Sequence, residues 1–202
     1  MSSPAPVDFY FEFSSPYGYI ASQLADGFER GIGRPLAWRP ILLGPVFKMT
    51  GTAPLVSIPL KGDYAKRDFV RTAKMHGVPF RAPDVFPINT VAAARAFYWA
   101  HDQEPAKARE LAKALYRTYF TENRDITPPA TVVEIARSVG LDGAALATAL
   151  EDPALKERTK REVDAAIAHG VFGSPFFVID GEPFWGVDRM PMAQRWVKTG
   201  GW

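Results

Sequence analysis

The sequence predicts an α/β protein in which a βαβ unit opens the chain, a long helical block follows and a ββα unit closes it. Three observations predict this order. An aromatic run, Val7 to Phe13, stops at two serines and is followed by Pro16 and apolar residues at helical spacing. From Asp63 to His169 one helix-patterned segment succeeds another. Near the end, Phe176-Phe177-Val178-Ile179 runs through Asp180-Gly181 into Glu182 to Trp185, the pattern of a tight hairpin.

Taken in order, Val7–Phe13 is rich in residues that suit a half-buried pleated surface and is bounded by Pro6 and Ser14, so it reads as a buried strand. Ser15 is a favourable N-cap. Pro16 suits the first helical position, because a helix start has no partner for that N–H. Tyr17, Ile20, Ala21, Leu24 and Phe28 then form one helix face, which Gly31 and Gly33 close. Leu36–Leu42 reads as a second strand broken by Pro40, and Gly44–Leu60, with its prolines and glycines, as a loop. Helices are predicted at Asp63–His76, Thr90–Asp102, Pro105–Thr121, Pro128–Ser138, Gly143–Leu150 and Pro153–His169, and a last one at Met190–Lys198. Residues 1–62 and 170–202 then form one domain and residues 63–169 a helical insertion in it.

Composition narrows the chemistry. The chain has 202 residues, 47% hydrophobic and 23% charged, ordinary for a soluble protein with a sizeable core. It has no cysteine, which excludes a disulfide framework, a thiolate zinc site and a cysteine nucleophile together. A net charge of +2 is too small to argue for nucleic acid. Lys61, Lys66, Arg67, Arg71 and Lys74, interleaved with Asp63 and Asp68, read as a solvated helix face. Met1–Pro6 is small and uncharged, unlike a secretory signal, and no run approaches the roughly 20 apolar residues of a membrane span. A cytoplasmic protein that meets no membrane is expected. His76, His101 and His169 are scattered near predicted helix ends, so no metal site is expected.

The junction after the first strand is the most telling motif. Thioredoxin-type folds carry a redox Cys-x-x-Cys there; this chain reads Ser15-Pro16-Tyr17-Gly18. The layout is that of a thiol enzyme without a thiol, so the sulfur must come from outside, and glutathione is the obvious source. A helix N-terminus favours negative charge, through its unpaired N–H groups and its dipole. A free thiol has a pKa of about 8.5, and lowering it by one unit takes only about 1.4 kcal/mol.

Together with this junction, Lys48-Met49-Thr50-Gly51, Phe86-Pro87-Ile88-Asn89-Thr90, Gly170-Val171-Phe172-Gly173-Ser174-Pro175 and Trp185-Gly186-Val187-Asp188-Arg189 span nearly the whole chain. In these the chain resembles the thioredoxin-fold family that includes 2-hydroxychromene-2-carboxylate isomerases and kappa-class glutathione transferases, relatives of DsbA-like disulfide oxidoreductases with a helical insertion. The isomerase branch is the nearer resemblance. It implies a thioredoxin-like fold and glutathione as cofactor. Ser15 would be the catalytic residue, a donor to the glutathione sulfur, with Ser14 as the fallback. Pro175 would be cis, turning the Ser174 backbone outward to pair with the tripeptide as a strand would. Trp185, Gly186, Val187, Asp188 and Arg189 would complete the cofactor site at the mouth of the last helix, where Asp188 could cap that helix and accept the γ-glutamyl ammonium. Lys48, in the loop after the second strand, would meet the carboxylate of an aromatic substrate or the glutathione, and Phe86 and Asn89 would meet the substrate. Asn89 is also a natural N-cap, and Tyr64 and Trp99 are further candidates for an aromatic pocket. The implied activity interconverts 2-hydroxychromene-2-carboxylate and trans-o-hydroxybenzylidenepyruvate, in a homodimer. The alternatives are a kappa-like transferase and a non-catalytic thioredoxin-like binding module, which would have no affinity for glutathione.

Overall fold

The structure, a computed structural model, describes residues 5–202. The reading of Met1–Pro6 as no signal lies in part outside the described residues. The chain runs β1 (Val7–Phe11), α1 (Pro16–Ile32), β2 (Leu36–Pro40), α2 (Leu43–Thr50), α3 (Lys61–Met75), α4 (Val91–Gln103), α5 (Pro105–Phe120), α6 (Pro129–Ser138), α7 (Gly143–Glu151), α8 (Pro153–Ala168), β3 (Phe176–Ile179), β4 (Glu182–Trp185) and α9 (Met190–Thr199), with short 3-10 turns at Leu55–Ser57 and Val187–Arg189.

The sheet order is β2-β1-β3-β4. β1 lies parallel to β2, with Val7 opposite Leu36 and Phe11 opposite Pro40, and antiparallel to β3, with Phe9 opposite Phe177. Pro40 ends β2, an edge strand, where a missing N–H is tolerated. The β3–β4 hairpin turns at Asp180 and Gly181, whose φ values of 53° and 91° are the two left-handed residues a two-residue hairpin favours. β1 stops at Phe11, two residues sooner than its apolar run, because the chain turns at Glu12, whose carbonyl accepts the Ser15 N–H at 2.9 Å.

Gly33 closes α1 in the left-handed region, its N–H donating to the Glu29 carbonyl. Gly31, expected to share that task, is inside the helix. A Cβ on it would lie 2.5 Å from Gln194 Nε2, so it admits the α9 side chain instead. The loop expected over residues 44–60 is corrected: Leu43–Thr50 is helical. Gly44 and Pro45 fall in the first turn, where proline costs no hydrogen bond, and Gly51 supplies the left-handed cap.

The core is continuous from sheet to helices. Phe11 packs edge-on against Phe97 of α4, and Phe13 lies 5.2 Å from Tyr116 of α5. On the other face of α1, Phe28 meets Phe177. Polar ties reinforce the seam: Tyr98 donates to the Pro40 carbonyl at 2.7 Å, and Tyr116 to the Glu12 carbonyl at 2.9 Å. Arg109 of α5 reaches Asp26 and Glu29 of α1, with its guanidinium 5.0 Å from the Trp38 ring.

Candidate active site

Ser15 sits at the N-cap of α1 in extended backbone, and its buried hydroxyl is fully used. Its oxygen accepts the Gly18 N–H at 3.0 Å and its proton goes to the Ser174 carbonyl at 3.0 Å. No acidic residue occupies the first turn of α1, so the positive end of that helix is not offset from within. Ser14 points elsewhere: its oxygen accepts the Ile88 N–H at 3.1 Å, tying the turn to the segment before α4.

Gly18 is the fourth residue of the junction, and its lack of a side chain has a visible reason. A Cβ there would lie 2.6 Å from Ser174 Oγ and 2.8 Å from the Tyr116 hydroxyl. Those two hydroxyls crowd the point from which the side chain of a second redox cysteine would start. The Ser174-Pro175 bond is cis, as the resemblance implies. The Ser174 hydroxyl oxygen accepts the Glu12 N–H at 2.9 Å, so the Ser174 loop and the Ser15 turn are joined twice.

The segment after β4 comes to the same place. Gly186, at φ 108°, donates its N–H to the Pro175 carbonyl at 3.0 Å. The Asp188 carboxylate folds back over Gly186, where a Cβ would come within 2.4 Å of it, and meets Arg189 at 3.0 Å. Asp188 makes no capping hydrogen bond, which corrects the expectation that it starts the last helix: it lies in the 3-10 turn before α9. Val187 turns its side chain into the core. Trp185 is 53% exposed, with its indole laid across Gly173 and edge-on to Phe172.

The other candidates are less closely joined. Lys48 is an exposed residue in the last turn of α2, not in a loop, and among the described residues it makes no ion pair or hydrogen bond. Phe86 reaches the junction through aromatic contacts: it is edge-on to Phe69, which is edge-on to Tyr17. Asn89 accepts the Val91 N–H at 2.9 Å, as a residue before a helix does, and lines a cavity of about 190 Å³ with Ala92, Arg95 and Leu150. Tyr64 is exposed beside Arg71, and Trp99 packs against the core. The Phe86-Pro87 bond is also cis.

Two features escaped the sequence reading. Asp68 is not part of a solvated face: its side chain is 19% exposed and accepts the Tyr17 hydroxyl at 2.5 Å. That bond and burial push the Tyr17 phenol up, burial being the larger cause. Glu12 is buried beneath the Ser14-Ser15 turn, and burial raises its carboxyl to about 7 against the lowering effect of bonds from Thr90 and Ser14. The one sign in the sequence was a carboxylate between Phe11 and Phe13, the second in the run after Asp8.

The chain belongs to the DSBA-like thioredoxin domain family, which matches residues 6–198. Within that family it is similar to the 2-hydroxychromene-2-carboxylate isomerase of Pseudomonas putida, 27% identical over 190 residues covering 93% of this chain and 92% of that protein. It is also similar to human glutathione S-transferase kappa 1, 24% identical over 96% of this chain and 93% of that one. A solved 2-hydroxychromene-2-carboxylate isomerase superposes with a TM-score of 0.85 at 27% identity, covering 95% and 93% of the two chains. No helix among the described residues is long and apolar enough to cross a membrane, and none of their His, Asp and Glu side chains cluster as metal ligands would.

Proposed function

We propose that the protein is a glutathione-dependent isomerase interconverting 2-hydroxychromene-2-carboxylate and trans-o-hydroxybenzylidenepyruvate, or a close aromatic carboxylate pair. The observation that carries the reading is Ser15, a hydroxyl fixed at the N-terminus of a helix whose first turn holds no acidic residue, in a chain that has no cysteine. The similarity to the P. putida isomerase over nearly the whole chain supports it. The residues fit a thiol tripeptide: the Ser15 turn favours an anion, the Ser174 loop offers backbone next to a cis proline, and Gly186 is bonded to that loop through Pro175. When bound, glutathione supplies a nucleophilic sulfur that adds reversibly to the ring-opened substrate, so that its double bond can turn before elimination restores it.

The chain's own part is electrostatic. Ser15 gives its proton to the Ser174 carbonyl until a peptide N–H takes that carbonyl, and it can then donate toward the sulfur. The Gly18 N–H keeps the Ser15 oxygen at the helix end throughout. Arg189, half exposed beside Asp188, is the cation available to a peptide carboxylate, and Lys48 that for the substrate carboxylate. A homodimer in the cytoplasm, where reduced glutathione is plentiful, completes the reading.

A hydrogen bond to a charged group is worth about 1.5–3 kcal/mol. Ser15→Ala should therefore slow turnover by about 10–100-fold and raise the pKa of bound glutathione, followed by its thiolate absorbance; an unchanged rate and thiol pKa would remove Ser15 from the mechanism. The kappa-like transferase is the second reading, favoured by the match to the human enzyme. Product analysis separates the two, because a transferase consumes glutathione and an isomerase regenerates it.

A further inference from the structure

We propose that Glu12 is a positioning residue for the Ser15 turn, holding that turn in register with the Ser174 loop and with the start of α4. Glu12 is 6% exposed, yet five bonds converge on it. Its carboxyl accepts the Ser14 N–H at 2.7 Å and the Thr90 hydroxyl from the residue before α4. Its N–H donates to Ser174 Oγ at 2.9 Å. Its carbonyl accepts the Ser15 N–H and the Tyr116 hydroxyl, both at 2.9 Å. One residue thus joins the turn that carries Ser15, the cis-proline loop, α4 and α5.

The two donors take the two carboxyl oxygens separately, which an amide, with one acceptor oxygen, does not reproduce, and a buried carboxyl without a counter-ion weakens a fold. Among the described residues no Lys, Arg or His pairs with Glu12. The titratable groups that face it are the phenols of Tyr116 and Tyr119 on α5; Thr90 from α4 and Ser174 from the loop do not titrate in this range. Its carboxyl is raised to about 7, so it changes state near neutral pH. Ionised, it accepts from both Ser14 and Thr90. Protonated, one oxygen becomes a donor and the Thr90 hydroxyl must turn. The bonds that tie the Ser14-Ser15 turn to the start of α4 therefore depend on the state of this carboxyl. Resting on the proposed function, the inference adds that the ionised carboxyl, accepting from both Ser14 and Thr90, holds the turn where Ser15 can donate to the sulfur, so turnover follows this carboxyl.

The test is a pH titration, from about 5.5 to 8.5, of the amide resonances of 15N-labelled protein, wild type against Glu12→Gln. In the wild type the amides of Ser14, Ser15 and Thr90 should move together with a midpoint near 7, and Glu12→Gln should abolish that movement. Thr90→Val, which removes a bond favouring the charged form, should raise the midpoint and serves if Glu12→Gln does not fold. With glutathione and substrate, Glu12→Gln should lower kcat at least about tenfold, change KM for glutathione less than about threefold and flatten the pH profile. Amides that titrate alike in wild type and both variants, or an unaltered kcat and pH profile in Glu12→Gln, overturn the proposal. The amide titration needs no glutathione: a wild type that binds none in calorimetry ends the proposed function, while the amides still decide the role of Glu12.

Discussion

Gly18 and Glu12 show how much a single residue settles in this site. Gly18→Cys would restore the outline of a redox pair's second position but drive its Cβ against Ser174 Oγ and the Tyr116 hydroxyl. Overpacking of that kind costs about 1–3 kcal/mol. The variant should be less stable by that amount in urea unfolding, and stability equal to wild type would show the two hydroxyls to be freer than they stand. Glu12 makes a prediction of opposite character. Its folded carboxyl, at about 7, lies above the ordinary 4.5, so between those values the folded state holds a proton the unfolded state has lost. Its stabilising contribution is full below pH 4.5 and is lost as pH rises through 7, a change of about 3 kcal/mol in all. Unfolding free energies at pH 5 and 8 should fall in the wild type and differ much less in Glu12→Gln. Ser15 as the cap of α1 could be read from the sequence because a local rule governs it, a serine before a proline, whereas the cis Ser174-Pro175 bond was implied by the family resemblance and not by any local rule. Glu12, Asp68 and Gly18 could not, because each owes its role to partners far along the chain: Glu12 to Thr90 and Tyr116, Asp68 to Tyr17, and Gly18 to Ser174.

At the scale of elements, α1 is the piece on which the site depends, and α5 fixes it. Arg109 bonds Glu29 and Asp26, and Lys113 adds a second cation on Asp26. The Lys113 bond is the larger cause that holds Asp26 below its usual range, with Arg109 contributing. The stabilisation this gives is present above the ordinary carboxylate pKa and is lost as pH falls through the lower folded value. Arg109→Ala also removes the guanidinium from the Trp38 face, so a loss of about 2 kcal/mol is expected, partly relieved in high salt. A change smaller than a few tenths of a kcal/mol in thermal unfolding would make the clamp ornamental. The helices of the insertion were legible because each has an apolar face and a clear stop. α2 was not, because Gly44 and Pro45 look like punctuation in a linear reading and are harmless in a first turn.

Across the whole molecule, the helical segment and the sheet share one apolar interior. Phe9, Phe11 and Phe13 on one side and Phe97, Tyr116 and Phe120 on the other belong to a single cluster of buried side chains. The two sequence-defined parts should therefore unfold together: far-ultraviolet and near-ultraviolet circular dichroism should give coincident denaturation curves, and two separated transitions would show that the insertion stands alone. The order βαβ, helices, ββα could be read from the sequence, since hydrophobic period and turn residues are local. The seam could not, because nothing in a linear pattern says which face of α5 meets α1.

The absence of cysteine, together with the blocked place at Gly18, has a practical outcome at the bench. The polypeptide offers no thiol to iodoacetamide, to maleimides or to disulfide exchange. It cannot form a mixed disulfide with any thiol ligand. Any thiol signal in a mixture containing this protein thus belongs to the added small molecule.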